Sequence, residues 1–544
     1  MLKFTAPFLG ILIVLSSCMK GQKVDLVIHN AKIHVMDDEN SVHEAMAIRD
    51  GKIVEVGPER QILNKYRSDE EIDALGKDVY PGLTDAHGHL LMYANQKLGV
   101  DLTGAKSMEE VIYRCEKHLA KSTNKFLIGN GWDQSLWDND SMPNNKKLSK
   151  TFPNIPVILY RVDGHAALVN ECLWKKAAVS KMTVDGGQIC LEKGVPNGLL
   201  IDNAINLVSK HVPKYSLKQV ESAILDIQEE LFQYGITGVH EAGIENKHIK
   251  MFKSMVSKGK LKLELYAMLM NSKENQAFAS KNGPYRYKNL DIRSFKVFAD
   301  GSLGSRGALL KKPYSDDPHS HGLLLTSIDE MKKVSKFCLD HGYQMNTHGI
   351  GDSANAIVLS IYKYAFSRKP DHRFRIEHAQ VIDPFDFAKF AEFAVFPSVQ
   401  PTHATSDFRW AEKRLGKSRL KGAYAYKTLL SQFGMMAIGT DFPVESTNPF
   451  FTIHAAVQRK NSSGEPTAPF LPEEGLTFEE VVKGMTIWAA FASFREKDLG
   501  SLEKNKKANF VIFDKPMSSS DTFVQNYAWR TFIEGKIVFA LDEL

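Results

Sequence analysis

Along the middle of this chain, apolar and polar positions change period at regular intervals. Short apolar runs of strand composition are each followed by a longer stretch in which apolar residues recur at helical spacing, the signature of βα units around a parallel sheet. Eight such runs end near Ala86, His240, Met270, Ala299, His348, His378, Gln400 and Asp441. Eight parallel strands predict an α/β fold closed into a (β/α)8 barrel, with chemistry expected at the C-terminal strand ends.

The two ends of the chain read differently. Residues 24–28, 45–48 and 52–56 have the composition of short strands, with Asp50-Gly51 as a hairpin signal, and the idiom returns at 509–513 and 534–539. One small β-sandwich built from residues 19–80 and 495–544, with the barrel at 81–494, is the simplest arrangement, two unrelated β-decorations being the alternative. Within the barrel, about 150 residues separate the first and second runs, where a βα connection normally takes a few. An inserted α+β subdomain at about 100–220, on the active-site side, accounts for the excess.

The chain has 544 residues, 43% of them hydrophobic and 24% charged, an ordinary globular balance in a chain too long for one small core. Its 69 basic and 64 acidic residues leave a net charge of +5 without a clustered basic face, so the expected partner is a small molecule and not a nucleic acid. The basic stretch 413–421 lacks interleaved aromatic residues and reads as a solvated face. Gly301-Ser302-Leu303-Gly304 lacks the lysine of a phosphate loop and reads as a tight turn. Cys115, Cys172, Cys190 and Cys338 show no CxxC spacing; buried thiols and a disulfide in an exported protein both remain open.

At the N-terminus, Lys3 precedes an apolar run over 4–15 and then Leu15-Ser16-Ser17-Cys18. The run is short for a bilayer span and has the length of a signal-peptide core. It resembles a bacterial lipoprotein signal, which implies removal of residues 1–17 and acylation of Cys18. Met19, in place of an aspartate, points by the same resemblance to the outer membrane, facing the periplasm or the surface. Membrane contact is then expected only through the lipid anchor, and a homo-oligomer is compatible with the sequence. An ordinary secretory signal with an incidental cysteine is the alternative.

The first barrel run ends in His87-Gly88-His89, two imidazoles spaced so that a strand points both the same way, which suits one metal ion. Lys296, His348, His378 and Asp441 stand at or near the ends of strands four, five, six and eight, bringing the set to four imidazoles, one carboxylate and one lysine. An ammonium cannot ligate, but burial lowers a lysine's pKa and the neutral amine can capture CO2 as a carbamate able to bridge two metals. The competing reading of Lys296 is an ion pair with Asp300.

The wording around these residues resembles the amidohydrolase superfamily, and within it amidohydrolase family 3. The motifs are Gly82-Leu83-Thr84-Asp85-Ala86-His87-Gly88-His89, Phe295-Lys296 with Asp300-Gly301-Ser302-Leu303-Gly304-Ser305-Arg306, His348 with Gly351-Asp352, Arg375-Ile376-Glu377-His378-Ala379-Gln380, Ser398-Val399-Gln400-Pro401 and Gly439-Thr440-Asp441-Phe442-Pro443-Val444. The likeness extends over nearly the whole mature chain. It implies that His87 and His89 hold a first metal, His348 and His378 a second, Lys296 the carboxylated bridge, and that Asp441 is both ligand and proton shuttle. One or two Zn2+ ions fit these donors best, with Fe or Mn compatible.

Trp132, Asp133 and His165 in the insertion, and Arg306 and His403 after strands four and seven, are candidate substrate contacts, each with a structural role as the alternative. His240 reads as pocket wall or support for the site. The expected activity is metal-dependent hydrolysis of a non-peptide carbon–nitrogen bond in an amide, N-formyl or N-acyl small molecule, because coordination lowers the pKa of water from 15.7 toward about 7. Hydrolysis of an ester, lactone or cyclic amide on the same site is the catalytic alternative. A non-catalytic exported binding protein is the other, and six such residues would be superfluous for binding alone.

Overall fold

The β-branched and aromatic runs do form strands, ending within two residues of the expected positions, except that the second runs past His240 to Ile244 and the eighth ends at Ile438, three residues before Asp441. The computed structural model describes residues 21–121, 125–139, 141–179, 183–517 and 523–541. The leader 1–17 and Cys18 lie outside the described residues. Eight parallel strands succeed one another around the barrel: β1 (Leu83–Gly88), β2 (Ile236–Ile244), β3 (Glu264–Met270), β4 (Leu290–Phe298), β5 (Gln344–Gly349), β6 (Arg375–His378), β7 (Phe396–Val399) and β8 (Ala437–Ile438). Each pairs with the next in sequence order.

The closing seam between β8 and β1 is made differently, because β8 is only two residues long. Buried Asp85 staples it. Its Oδ1 accepts from the amides of His87 and Thr440, both at 3.1 Å, and its Oδ2 from the Thr440 hydroxyl at 2.6 Å. Further along, the Asp441 amide donates to the His87 carbonyl at 2.7 Å and the His89 amide to the Phe442 carbonyl at 2.8 Å. The two chains run so close that a Cβ on Gly439 would stand 2.4 Å from the His87 nitrogen, so glycine is required there.

Helix α1 (Leu90–Leu98) starts directly after His89. Helix α2 (Leu217–Gln233) opens with a Ser216/Gln219 capping box and lays Val220, Ile224, Ile227 and Leu231 on the barrel, whose core it shares. Helix α3 (Pro401–Leu415) follows β7. Between α1 and α2 the chain builds a six-stranded mixed sheet from Val100 to Asp202, with apolar clusters of its own.

Both ends of the chain meet in two further sheets. Phe510–Phe513 lies antiparallel beside Asp78–Pro81 inside a six-stranded sheet, which faces a four-stranded sheet containing Leu26–His29 and Ala45–Arg49. Ile28, Ile48, Val79, Phe510 and Ile512 pack between them. Asp50 and Gly51 both take positive φ, 53° and 71°, as a two-residue hairpin needs. Cys115, Cys172, Cys190 and Cys338 are free thiols. The basic stretch 413–421 is more than a solvated face: Arg414 pairs with Asp316 and donates to the Gly304 carbonyl, and Arg419 donates to the carbonyls of Lys312 and Pro313. It thereby pins the long loop after β4 against α3.

Candidate metal centre

His87 is the penultimate residue of β1 and fully buried, while His89 lies one residue past the strand as the N-cap of α1. Their ring centroids are 5.3 Å apart, so both imidazoles face one site although only the first is a strand residue. Lys296 points into the barrel from β4, its Nζ 3.1 Å from His87 Nε2. His348 of β5 lies with its ring 4.5 Å from that of His378, which in turn is 4.8 Å from His87. Asp441 arrives on a turn three residues past β8, at φ +63°. Its Oδ1 is 3.1 Å from His89 Nε2 and 3.5 Å from His87 Nε2. All six residues singled out in the sequence therefore gather at the C-terminal mouth of the barrel, with His348 Nε2 turned toward the Gly301 carbonyl at 3.4 Å.

Buried acceptors behind the histidines fix which nitrogen carries the proton. Glu377 Oε2 lies 2.6 Å from His87 Nδ1, and Gln400 Oε1 2.7 Å from His378 Nδ1. With Nδ1–H donating outward in both rings, each Nε2 lone pair turns toward the site. Glu377 is held in turn by Arg375, at 2.7 Å, whose guanidinium also reaches the Ala86 carbonyl and His240. Glu241 accepts from the Leu90 amide at 2.5 Å, anchoring α1 and with it His89.

Burial dominates the electrostatics. It lowers His87 to about 4 and holds His348 and His378 well below the usual imidazole range, so all three rings are neutral. Burial also lowers Lys296 to about 8. For Asp441 burial acts upward, but the hydrogen bond from His403 and the imidazoles of His89, His87 and His378 nearby outweigh it and keep the carboxyl ionised. Burial likewise opposes ionisation of Glu377, and Arg375 and His87 override it.

These donors fit a transition metal. The ligand atoms of His87, His89 and Asp441 all lie within 4.8 Å of one another, as do those of His378, His403 and Asp441. Buried Asp441 Oδ1 has no donor aligned with it, the condition of an oxygen that lacks a cation. His403 is the exception in the second group. Its Nε2 lies 3.2 Å from Asp441 Oδ2 and its Nδ1 3.3 Å from Glu445 Oε1, and these two carboxylates outweigh burial to raise it to about 10. An imidazolium donating from both nitrogens has no lone pair for a metal, so His403 serves Asp441 as a charged donor.

The other candidates divide. Asp133, His165 and His403 line a cleft of about 520 Å³ over the six residues, with Arg161, Asp163 and Asp407. Asp133 and Asp163 both pair with the buried Arg161, and His165 binds Asp202 Oδ1 at 2.5 Å with its ring 5.1 Å from His348. Trp132 does not reach the cleft: its ring is buried in the core of the insertion and its Nε1 donates to the Leu159 carbonyl at 2.8 Å. Arg306, at φ +61°, turns away to pair with Asp316 at 2.9 Å. Asp300 is not the partner of Lys296; its carboxylate accepts the amides of Leu309, Ile350 and Gly351 at 2.8 to 3.0 Å. His240 is a support, under Arg375 and against Tyr266.

The model of the amidohydrolase family matches residues 70–539 of the chain. YtcJ of Bacillus subtilis, an amidohydrolase by name, is 30% identical over 533 residues, covering 94% of this chain and 98% of that protein. The N-substituted formamide deformylase of Arthrobacter pascens is 26% identical over 547 residues, covering 94% and 98%. Among solved structures, a metal-dependent hydrolase from Pyrococcus horikoshii superposes with a TM-score of 0.74 at 26% identity, covering 91% of this chain and 98% of the other. With a barrel whose strand ends gather four histidines, a lysine and an aspartate, and with a family match over most of its length, this chain belongs to the amidohydrolase family and is a metal-dependent hydrolase.

Proposed function

We propose that the chain hydrolyses the carbon–nitrogen bond of an amide, N-formyl or N-acyl small molecule. His87, His89, His348, His378 and Asp441 are the residues that would hold one or two zinc ions, with Lys296, as a carbamate, adding a further ligand. The uncharged Lys296 amine adds to the carbon of CO2, forming the N–C bond and releasing one proton. A bound zinc ion supplies water of lowered pKa and an electrophile for the substrate oxygen.

The chain's own residues account for the proton. Asp441, its Oδ1 turned to the imidazoles, takes it from the attacking water and later returns it to the departing nitrogen. His403 grips Oδ2 and holds the carboxylate in one orientation. The observation that carries this reading is that buried oxygen, 3.1 Å from His89 Nε2 without an aligned donor. The relative that deformylates N-substituted formamides favours the formamide end of the range.

The test is a screen of formamides, other amides, hydantoins and lactones with zinc-loaded protein, repeated with Asp441→Asn. Turnover of an amide or formamide that falls roughly a hundredfold or more in the variant, with metal content retained, is the expected result. Turnover of lactones alone would move the activity to esters, and an Asp441→Asn variant as fast as wild type would refute the proton's route.

A further inference from the structure

A second cavity, of about 670 Å³, lies beside the metal-centre cleft, between α1, the inserted sheet and the start of α2. The two are back to back: Met92, Gly131, Arg161, Val162 and Gly164 belong to the walls of both. The partition is thin. Met92 follows His89 by three residues on α1, and a Cβ built on Gly164 would meet only the Met92 sulphur within 4 Å, at 3.8 Å. A methionine side chain has three rotatable bonds and yields at little cost.

The cleft mixes apolar side chains such as Leu136, Phe298, Leu303 and Trp410 with the charged Asp133, Asp163, His403, Asp407 and Glu445, so an apolar group held there stands among charges. The side cavity presents Leu91, Ile128, Tyr160, Val162, Tyr215 and Leu217. Arg161, Lys214, Glu245, Lys247 and His248 also stand on its wall, Lys247 paired with Glu245 at 2.5 Å and Arg161 with Asp133 and Asp163. A space of this size and lining next to a hydrolytic centre suits an alkyl or aryl group, whose transfer out of water is favourable in proportion to the area buried.

We propose that the side cavity is a substrate subsite, taking an apolar arm that extends from the scissile amide past Met92. The inference rests on the hydrolytic reading above and deepens it: the substrates are amides with a long alkyl or arylalkyl substituent. Short substituents stay within the cleft and gain nothing from the cavity. Longer ones gain about fourfold in kcat/KM for each methylene that enters.

The experiment uses full-length, zinc-loaded protein and N-alkylformamides from methyl to octyl. Wild type is expected to show kcat/KM climbing once the arm is long enough to pass Met92. Leu217→Asp places a carboxylate on the cavity wall. The position is half exposed and opens α2, where a negative charge suits the helix dipole, so the fold is kept. The readout is the octyl-to-methyl ratio of kcat/KM, expected to fall tenfold or more in the variant. A flat series in wild type, or an equal ratio in both proteins, would overturn the proposal. Calorimetric titration with N-octylformamide separates the two readings. If no formamide is cleaved, the reaction falls, but octylformamide binding at least tenfold tighter to wild type than to Leu217→Asp still supports the subsite, and equal or absent binding refutes it.

Discussion

Glu377 shows how much of the site depends on residues that touch no substrate. It stands next to His378 in sequence, and on a regular strand the two would face opposite ways. The left-handed φ of +72° at His378 ends the pleat, so both side chains reach His87, one as acceptor on Nδ1 and the other ring to ring. Replacing Glu377 with Gln keeps the shape but removes the anion that fixes the His87 tautomer and balances Arg375. Zinc affinity is expected to fall about 10- to 100-fold, measured by competition with a chromophoric chelator; unchanged affinity would remove Glu377 from the design. Such partners were hard to find in sequence because their signal is a contact 290 residues apart. The six site residues were legible because each interrupts or ends an apolar run. Trp132 and Arg306 misled because proximity to a motif says nothing of side-chain direction: one indole turns into its own sheet and one guanidinium follows a positive φ toward Asp316.

At the scale of elements, the strand order and the insertion were legible because periodicity and connection length are local properties of the sequence. The seam was not. A strand as short as Ala437–Ile438 cannot close a barrel by laddering, and closure passes to the side chain of Asp85. Asp85→Ala leaves the amides of His87 and Thr440 and the Thr440 hydroxyl without their acceptor in a buried seam. Removing a buried acceptor costs about 1–3 kcal/mol for each donor stranded, so a loss of roughly 3 kcal/mol or more is expected in the unfolding of zinc-loaded protein by denaturant. Asp85→Asn, which keeps one acceptor oxygen, should recover part of it. An Asp85→Ala protein as stable as wild type would show that the ladder bonds alone close the barrel. The same seam delivers Asp441 to His87 and His89, so fold closure and site assembly are one event here.

Across the whole molecule, three bodies contribute unequally. The barrel supplies the six residues, the insertion supplies Asp133, Arg161 and His165 to the cleft wall, and the sheets built from both ends cover the barrel's flank through contacts such as the Thr531 hydroxyl on the Phe232 carbonyl at 2.7 Å. We propose that residues 1–17 are a removed signal and Cys18 a lipid anchor; Cys18→Ala is then expected to move the chain from the membrane pellet to the soluble fraction in fractionated cells, and continued membrane association would contradict the anchor. The central claim, that four strand-end histidines, Lys296 and Asp441 form a metal centre, is tested most directly by counting metal. Purified protein reconstituted with zinc and bicarbonate, then desalted, should retain about one to two equivalents per chain by elemental analysis, with His87→Ala/His89→Ala dropping sharply. Less than about half an equivalent in wild type, or equal retention in the double variant, would contradict it.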